Sequence, residues 1–129
     1  MGLLSDMHSS SLERVAEARE RVPEAALRAA VLGTPSPPPL RLAPSGFDLV
    51  AELKLRSPSL GDLSGATLDP VRRLEAYAEG GAAVCSILTE PDRFDGSLDH
   101  LRLAAETLQP FGVPAMRKDF LVDPYQVLE

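Results

Sequence analysis

The chain has 129 residues, 44% of them hydrophobic, which is enough for one ordinary domain with its own core. Its 13 basic and 19 acidic residues leave a net charge of −6, with no basic cluster dense enough to track a phosphate backbone, which argues against a nucleic-acid partner. No apolar stretch approaches the roughly 20 residues of a membrane-spanning helix, and the start MGLLSDMHSS lacks the charge pattern of a signal peptide, so no membrane role and a cytoplasmic location are expected.

Residues 1–9 are polar and read as a frayed start. Ser10, with Glu13 three residues on, makes a capping box that predicts a helix through about Arg21, with Leu12, Val15 and Val22 on one side. Pro23 suits the first turn of a second short helix, PEAALRAAVL, which Gly33 can close in the left-handed conformation. The stretch TPSPPPLRLAPSG is a linker, because consecutive prolines favour an extended path. Residues 1–45 are therefore expected to form a helical extension with a proline-rich linker, ahead of a main domain over residues 46–129.

From Phe47 the pattern becomes regular. FDLVAELK predicts a strand, and SPSLGDLSGATL a loop. A helix follows, with Asp69-Pro70 at its start, Val71, Leu74, Tyr77 and Ala78 as its apolar stripe and Gly80-Gly81 at its end. AAVCSILT is nearly uniformly apolar, as expected of a parallel strand covered on both faces, and it holds the lone Cys85, which can form no intrachain disulfide and reads as a core residue. The loop EPDRFDG leads to a Ser97-capped helix with Leu98, Leu101, Ala105 and Leu108 at helical spacing. Pro110 and Gly112 stop it, VPAMRK predicts a third strand, and Asp123-Pro124 opens a third helix in the manner of Asp69-Pro70.

Strand ends thus recur at Lys54, Thr89 and Lys118, roughly 30 residues apart, the repeat of a parallel α/β fold with right-handed crossovers. An open nucleotide-binding sheet should show a Gly-x-Gly-x-x-Gly turn after its first strand, and the chain reads SPSLG there. A closed (β/α)8 TIM barrel instead places its functional groups at the C-terminal ends of several strands, and Glu52, Lys54, Ser57, Phe94, Lys118 and Phe120 fall there. The expected fold is the first three strands of such a barrel behind a helical extension. A full barrel needs about 250 residues, so the chain reads as the front of a larger domain, cut short.

Eleven of the thirteen basic residues are arginine, and the two lysines, Lys54 and Lys118, stand at strand ends. An ammonium can serve as an acid when its surroundings lower its pKa, whereas a guanidinium stays charged. Alternation puts Glu52 and Lys54 on one face of the first strand, where carboxylate and ammonium would tune each other; the plainer alternative is an ordinary ion pair. Lys118 would converge on the same rim, its plainer alternative being a surface lysine paired with Asp119. Phe94 and Phe120 could pack the core or wall a flat ligand. His8 and His100 suggest no role.

AELKLRSPSLG, EGGAAVCSILTEPDRFDGS and RKDFLVDPYQ, in this order and spacing, resemble the indole-3-glycerol-phosphate synthase family of tryptophan biosynthesis, over about Phe47 to Glu129. The amino-terminal helices are compatible with the extra helix that family carries ahead of its barrel. The resemblance implies ring closure, decarboxylation and dehydration of 1-(2-carboxyphenylamino)-1-deoxyribulose 5-phosphate, a phosphorylated small molecule, without metal or organic cofactor. It implies that Lys118 is the general acid of ring closure and that Lys54 holds the substrate carboxylate and donates a proton in dehydration. Glu52 would position or deprotonate, Ser57 would hydrogen-bond the substrate, and Phe94 with Phe120 would pack on its ring. One departure is visible: the family commonly has a lysine after the SPS turn, where this chain has Leu60. A further glutamate and the glycine-rich phosphate loops belong to later strands in that family, so the 129-residue polypeptide is expected to be inactive alone. The alternative from another class is a non-catalytic half-barrel that pairs with a complementary segment, or with itself, through its open strand edge.

Overall fold

The computed structural model describes residues 2–57, 59–63 and 69–129. In chain order the elements are α1 (Leu3–Arg21), α2 (Glu24–Val31), β1 (Leu49–Leu53), β2 (Arg56–Ser57), β3 (Gly61–Asp62), α3 (Pro70–Glu79), β4 (Ala82–Leu88), α4 (Pro91–Phe94), α5 (Leu98–Leu108), a 3₁₀ turn at Gln109–Phe111, β5 (Ala115–Lys118) and α6 (Tyr125–Leu128). Packing groups them into two compact units, residues 1–36 with 120–129, and residues 37–119. Among the described residues no helix is long and apolar enough to cross a membrane.

The first unit corrects two expectations. The opening helix starts at Leu3, not after Ser10, and its N-cap is Gly2 with no side-chain cap. The stretch expected to fray is helical because Met7, Ser11, Val15 and Ala18 form one buried stripe, at the i, i+4 and i, i+3 spacings that align side chains on a helix face. Ser11 is fully buried and accepts from Arg14 Nη2 at 2.7 Å. Gly33 is not left-handed: positive φ occurs, among the described glycines, at Gly46, Gly61, Gly81 and Gly112. Instead α2 ends in tight turns, with Gly33 N–H donating to Ala30 O and Thr34 N–H to Val31 O, both at 3.1 Å. These satisfy terminal carbonyls without a reversed backbone.

The chain's last ten residues pack within this unit through Tyr125, which is buried among Val15, Ala18 and Leu27. Its hydroxyl lies 3.0 Å from Ala18 O and 2.8 Å from Val22 O, on carbonyls at the end of α1. Asp123 Oδ1 accepts from Tyr125 N–H at 2.8 Å, as Asp69 Oδ1 accepts from Val71 N–H at 3.0 Å at the start of α3. The two Asp-Pro sequences therefore use the same hydrogen bond to begin a helix.

The second unit is a three-stranded parallel sheet in the order β1-β4-β5, with a two-stranded antiparallel β2-β3 pair in the loop after β1. Sequence order equals spatial order, as expected when each strand is followed by a crossover helix. Ala51, Cys85 and Ala115 share a register, as do Glu52, Ser86 and Met116. Alternation then divides the sheet. Ala51, Leu53, Cys85 and Ile87 form the core with Leu74 of α3 and with Ala104 and Leu108 of α5, and burial pushes the Cys85 thiol up. Asp69 and Ser97 cap α3 and α5 as expected, Ser97 Oγ accepting from His100 N–H at 3.1 Å.

Candidate functional site

Glu52, Lys54 and Lys118 lie together at the C-terminal end of the sheet. Glu52 Oε1 meets Lys54 Nζ at 2.9 Å, two residues along the same strand direction. Glu52 Oε2 accepts from Lys118 Nζ at 2.5 Å across the intervening strand β4. One carboxylate thus bridges two ammonium groups. Burial is the largest single influence on Glu52 and pushes its carboxyl up, but hydrogen bonds and charge from Lys118 and Lys54 together outweigh it and hold the group below the usual glutamate range. The backbone beneath it is anchored as well, since Tyr77 of α3 donates its hydroxyl proton to Glu52 O at 3.1 Å.

Phe94, at the end of α4, lies near Lys54 of this group. Its ring centroid lies 6.0 Å from Lys54 Nζ, at the outer limit of a cation–π contact. The plainer pairing of Lys118 with Asp119 does not occur; Asp119 is taken by Arg117, with Nη2 to Oδ2 at 3.3 Å. Ser57 is buried just past β1, its Oγ 3.0 Å from Ser59 Oγ, and Pro58 between them lies outside the described residues, as do residues 64–68 of the same loop. Arg56 reaches Asp95 at 3.5 Å, linking that loop to the segment after α4. Phe120 belongs to the first unit, where its carbonyl accepts from Gln126 Nε2 at 3.4 Å. Leu60, at the departure noted in the sequence, is exposed.

Two features escaped sequence reasoning. The loop EPDRFDG contains a helical turn, α4, and Glu90 in front of it is fully buried. Its carboxylate accepts from the N–H groups of Asp92 at 2.9 Å, Arg93 at 2.8 Å and Phe94 at 3.2 Å, which satisfies the orphan donors of the turn and fixes Phe94. The available signal was a cap residue directly before a proline at the first helical position. The second is a buried group of Thr89, Arg117 and Asp119. Thr89 Oγ1 donates to Asp119 Oδ2 at 2.8 Å and accepts from Arg117 Nε at 3.2 Å.

The chemistry available is that of an anion-binding acid site. Two ammonium groups held on one carboxylate can bind an anion and donate a proton, and the carboxylate between them can orient both. Among the described residues no three His, Cys, Asp or Glu side chains gather into a set that could hold a metal ion.

Comparison with known proteins agrees in direction. A family profile described as "Indole-3-glycerol phosphate synthase" matches residues 4–129. An indole-3-glycerol phosphate synthase of Nocardioides sp. (strain ATCC BAA-499 / JS614) is 41% identical over 132 aligned positions, covering 100% of this chain and 49% of the relative. Synthases of Mycobacterium ulcerans (strain Agy99) and Mycobacterium leprae (strain Br4923) are 44% and 41% identical, covering 73% and 80% of this chain but 35% and 37% of their own lengths. The chain therefore spans between about a third and a half of these curated relatives. With nearly every residue inside the matched profile, this chain belongs to the indole-3-glycerol phosphate synthase family.

Proposed function

We propose that the protein carrying this sequence is an indole-3-glycerol phosphate synthase, a carboxy-lyase of tryptophan biosynthesis acting in the cytoplasm. It closes the ring of 1-(2-carboxyphenylamino)-1-deoxyribulose 5-phosphate with loss of carbon dioxide and water. In this reading residues 46–129 are the first three strands of a (β/α)8 barrel and residues 1–45 its helical extension. The observation that carries it is the single Glu52 carboxylate bridging Lys54 and Lys118 at 2.9 and 2.5 Å.

Ring closure drives an electron-rich aromatic carbon onto a ketone, and charge builds on the ketone oxygen. Lys118 donates the proton that quenches it. Lys54, held against Glu52, binds the substrate carboxylate before that group leaves, and then donates a proton to the departing hydroxyl. Glu52 orients both ammonium groups and removes the ring proton that completes the indole. Ser57 hydrogen-bonds the substrate, and Phe94 and Phe120 pack on its aromatic ring. The 129-residue polypeptide alone is proposed to be inactive, because the family places its phosphate loops and a further glutamate on later strands.

A second reading is favoured by the side chains of Val50 and Met116, exposed on the edge strands β1 and β5. In it this segment pairs through its edges with a complementary piece or with a second copy, and does no chemistry itself. Turnover decides between the two. In the catalytically competent enzyme, Lys118→Ala should lower kcat by about 10²–10⁴-fold, the range of a positioned acid, with indole fluorescence as readout. Activity within a few-fold of the unaltered enzyme would refute the assignment.

A further inference from the structure

The corner directly after β4, Thr89-Glu90, makes hydrogen bonds both to the segment that carries Lys118 and to the turn that carries Phe94. Arg117 and Asp119 flank Lys118 in sequence, so alternation directs them away from it, to the opposite side of the sheet. The Asp119 side chain is fully buried and that of Arg117 is 14% exposed. Thr89 Oγ1 lies between them, donating to Asp119 at 2.8 Å and accepting from Arg117 at 3.2 Å, while Arg117 and Asp119 pair at 3.3 Å. The Thr89 N–H also donates to Lys118 O at 3.0 Å. The residue directly after β4 is therefore bonded to Lys118 itself and to both its neighbours. The next residue, Glu90, holds the turn that carries Phe94 over Lys54.

A lysine side chain that is 52% exposed has many rotamers open to it, and placing its ammonium on Glu52 costs conformational entropy. That cost falls if the backbone carrying it cannot tilt. We propose that Thr89, through its hydroxyl, is a positioning residue that aims the Lys118 ammonium at Glu52 and, through that placement, at the reacting oxygen. The reaction step rests on the role assigned above to Lys118; the placement does not.

The two lysines make the test direct. In the chain labelled with 13Cε,15Nζ-lysine, each lysine gives one side-chain signal, and Lys54→Arg assigns them. Thr89→Val keeps the shape and removes the oxygen, Thr89→Ala removes it without adding a methyl in its place, and Thr89→Ser keeps it. With Val or Ala the Lys118 signal should move toward that of free lysine while Lys54 stays, and with Ser neither should move. A Lys118 signal unchanged in a folded Val or Ala variant overturns the proposal, as does a signal lost equally with Ser. In the competent enzyme, removal of the oxygen should lower kcat about tenfold with KM changed less than about twofold, the pattern of a misplaced acid, and Ser should restore it. A Lys118 signal that moves while kcat holds would leave the placement standing and remove the acid role from Lys118.

Discussion

Glu52 Oε2 and Lys118 Nζ lie 2.5 Å apart although 66 residues separate them in the chain. They stand on β1 and β5 with β4 between, so the contact spans the whole three-stranded sheet. The other oxygen of the same carboxylate holds Lys54 at 2.9 Å. Without that negative charge, two ammonium groups would face each other at close range.

Glu52→Gln separates the structural from the functional value of this bridge. Lys118 is half exposed, and partly exposed pairs contribute about 1 kcal/mol or less to stability. Urea unfolding should therefore shift little, by roughly 1 kcal/mol at most. Turnover in the competent enzyme should fall about a hundredfold or more, since both ammonium groups lose their orientation. A large stability loss with activity intact would reverse this assignment.

The bridge also makes stability depend on pH in a definite direction. The Glu52 carboxyl is held below its ordinary value by Lys118 and Lys54 against the opposing push of burial. A carboxyl with a lowered folded-state pKa binds its proton later than the unfolded chain does. Its contribution is complete above the ordinary glutamate range and is lost as pH falls through the lowered folded value. The difference in unfolding free energy between the unaltered chain and Glu52→Gln should shrink as pH is lowered from about 7 into the acid range. A difference that stays constant to the acid end would contradict the bridging geometry.

Gly96 is required for space, not for backbone freedom. A Cβ there would lie within van der Waals overlap of backbone atoms of Leu88 and Thr89, 2.7 Å from the Leu88 and Thr89 carbonyl carbons. Backbone cannot step aside as a flexible side chain can. The Gly96 N–H also donates to Glu90 O at 2.9 Å, so any shift loosens the turn that carries Phe94. Gly96→Ala should destabilise the chain by about 2 kcal/mol or more by thermal or denaturant unfolding. Retention of full stability would show that the loop can move away.

In the unit of residues 1–36 and 120–129, Tyr125 is the test. Its ring is buried and its hydroxyl serves two carbonyls at the end of α1. Tyr125→Phe keeps the ring and removes the donor. Loss of about 1–2 kcal/mol is expected, the cost of leaving buried carbonyls less satisfied. The C-terminal residues should then show faster amide exchange.

Much of this was legible in the sequence because it is local. Caps at Asp69 and Ser97, the Asp123-Pro124 start and the strands near Lys54, Thr89 and Lys118 follow from residue chemistry within a few positions. The start of α1 was missed because its buried stripe includes Ser11, a polar residue that only packing explains. Glu90 was missed because a carboxylate reads as surface unless the three backbone donors that receive it are visible.

Alternation along one strand was enough to place Glu52 beside Lys54, since neighbours two apart share a face whatever the rest of the chain does. The partner of Lys118 was of another kind. Asp119 is adjacent in sequence, but consecutive residues face opposite sides, and Asp119 is taken by Arg117. Glu52 became the partner only because the chain crosses over twice and sets β1, β4 and β5 side by side in register, a distance set by strand order and not by sequence separation.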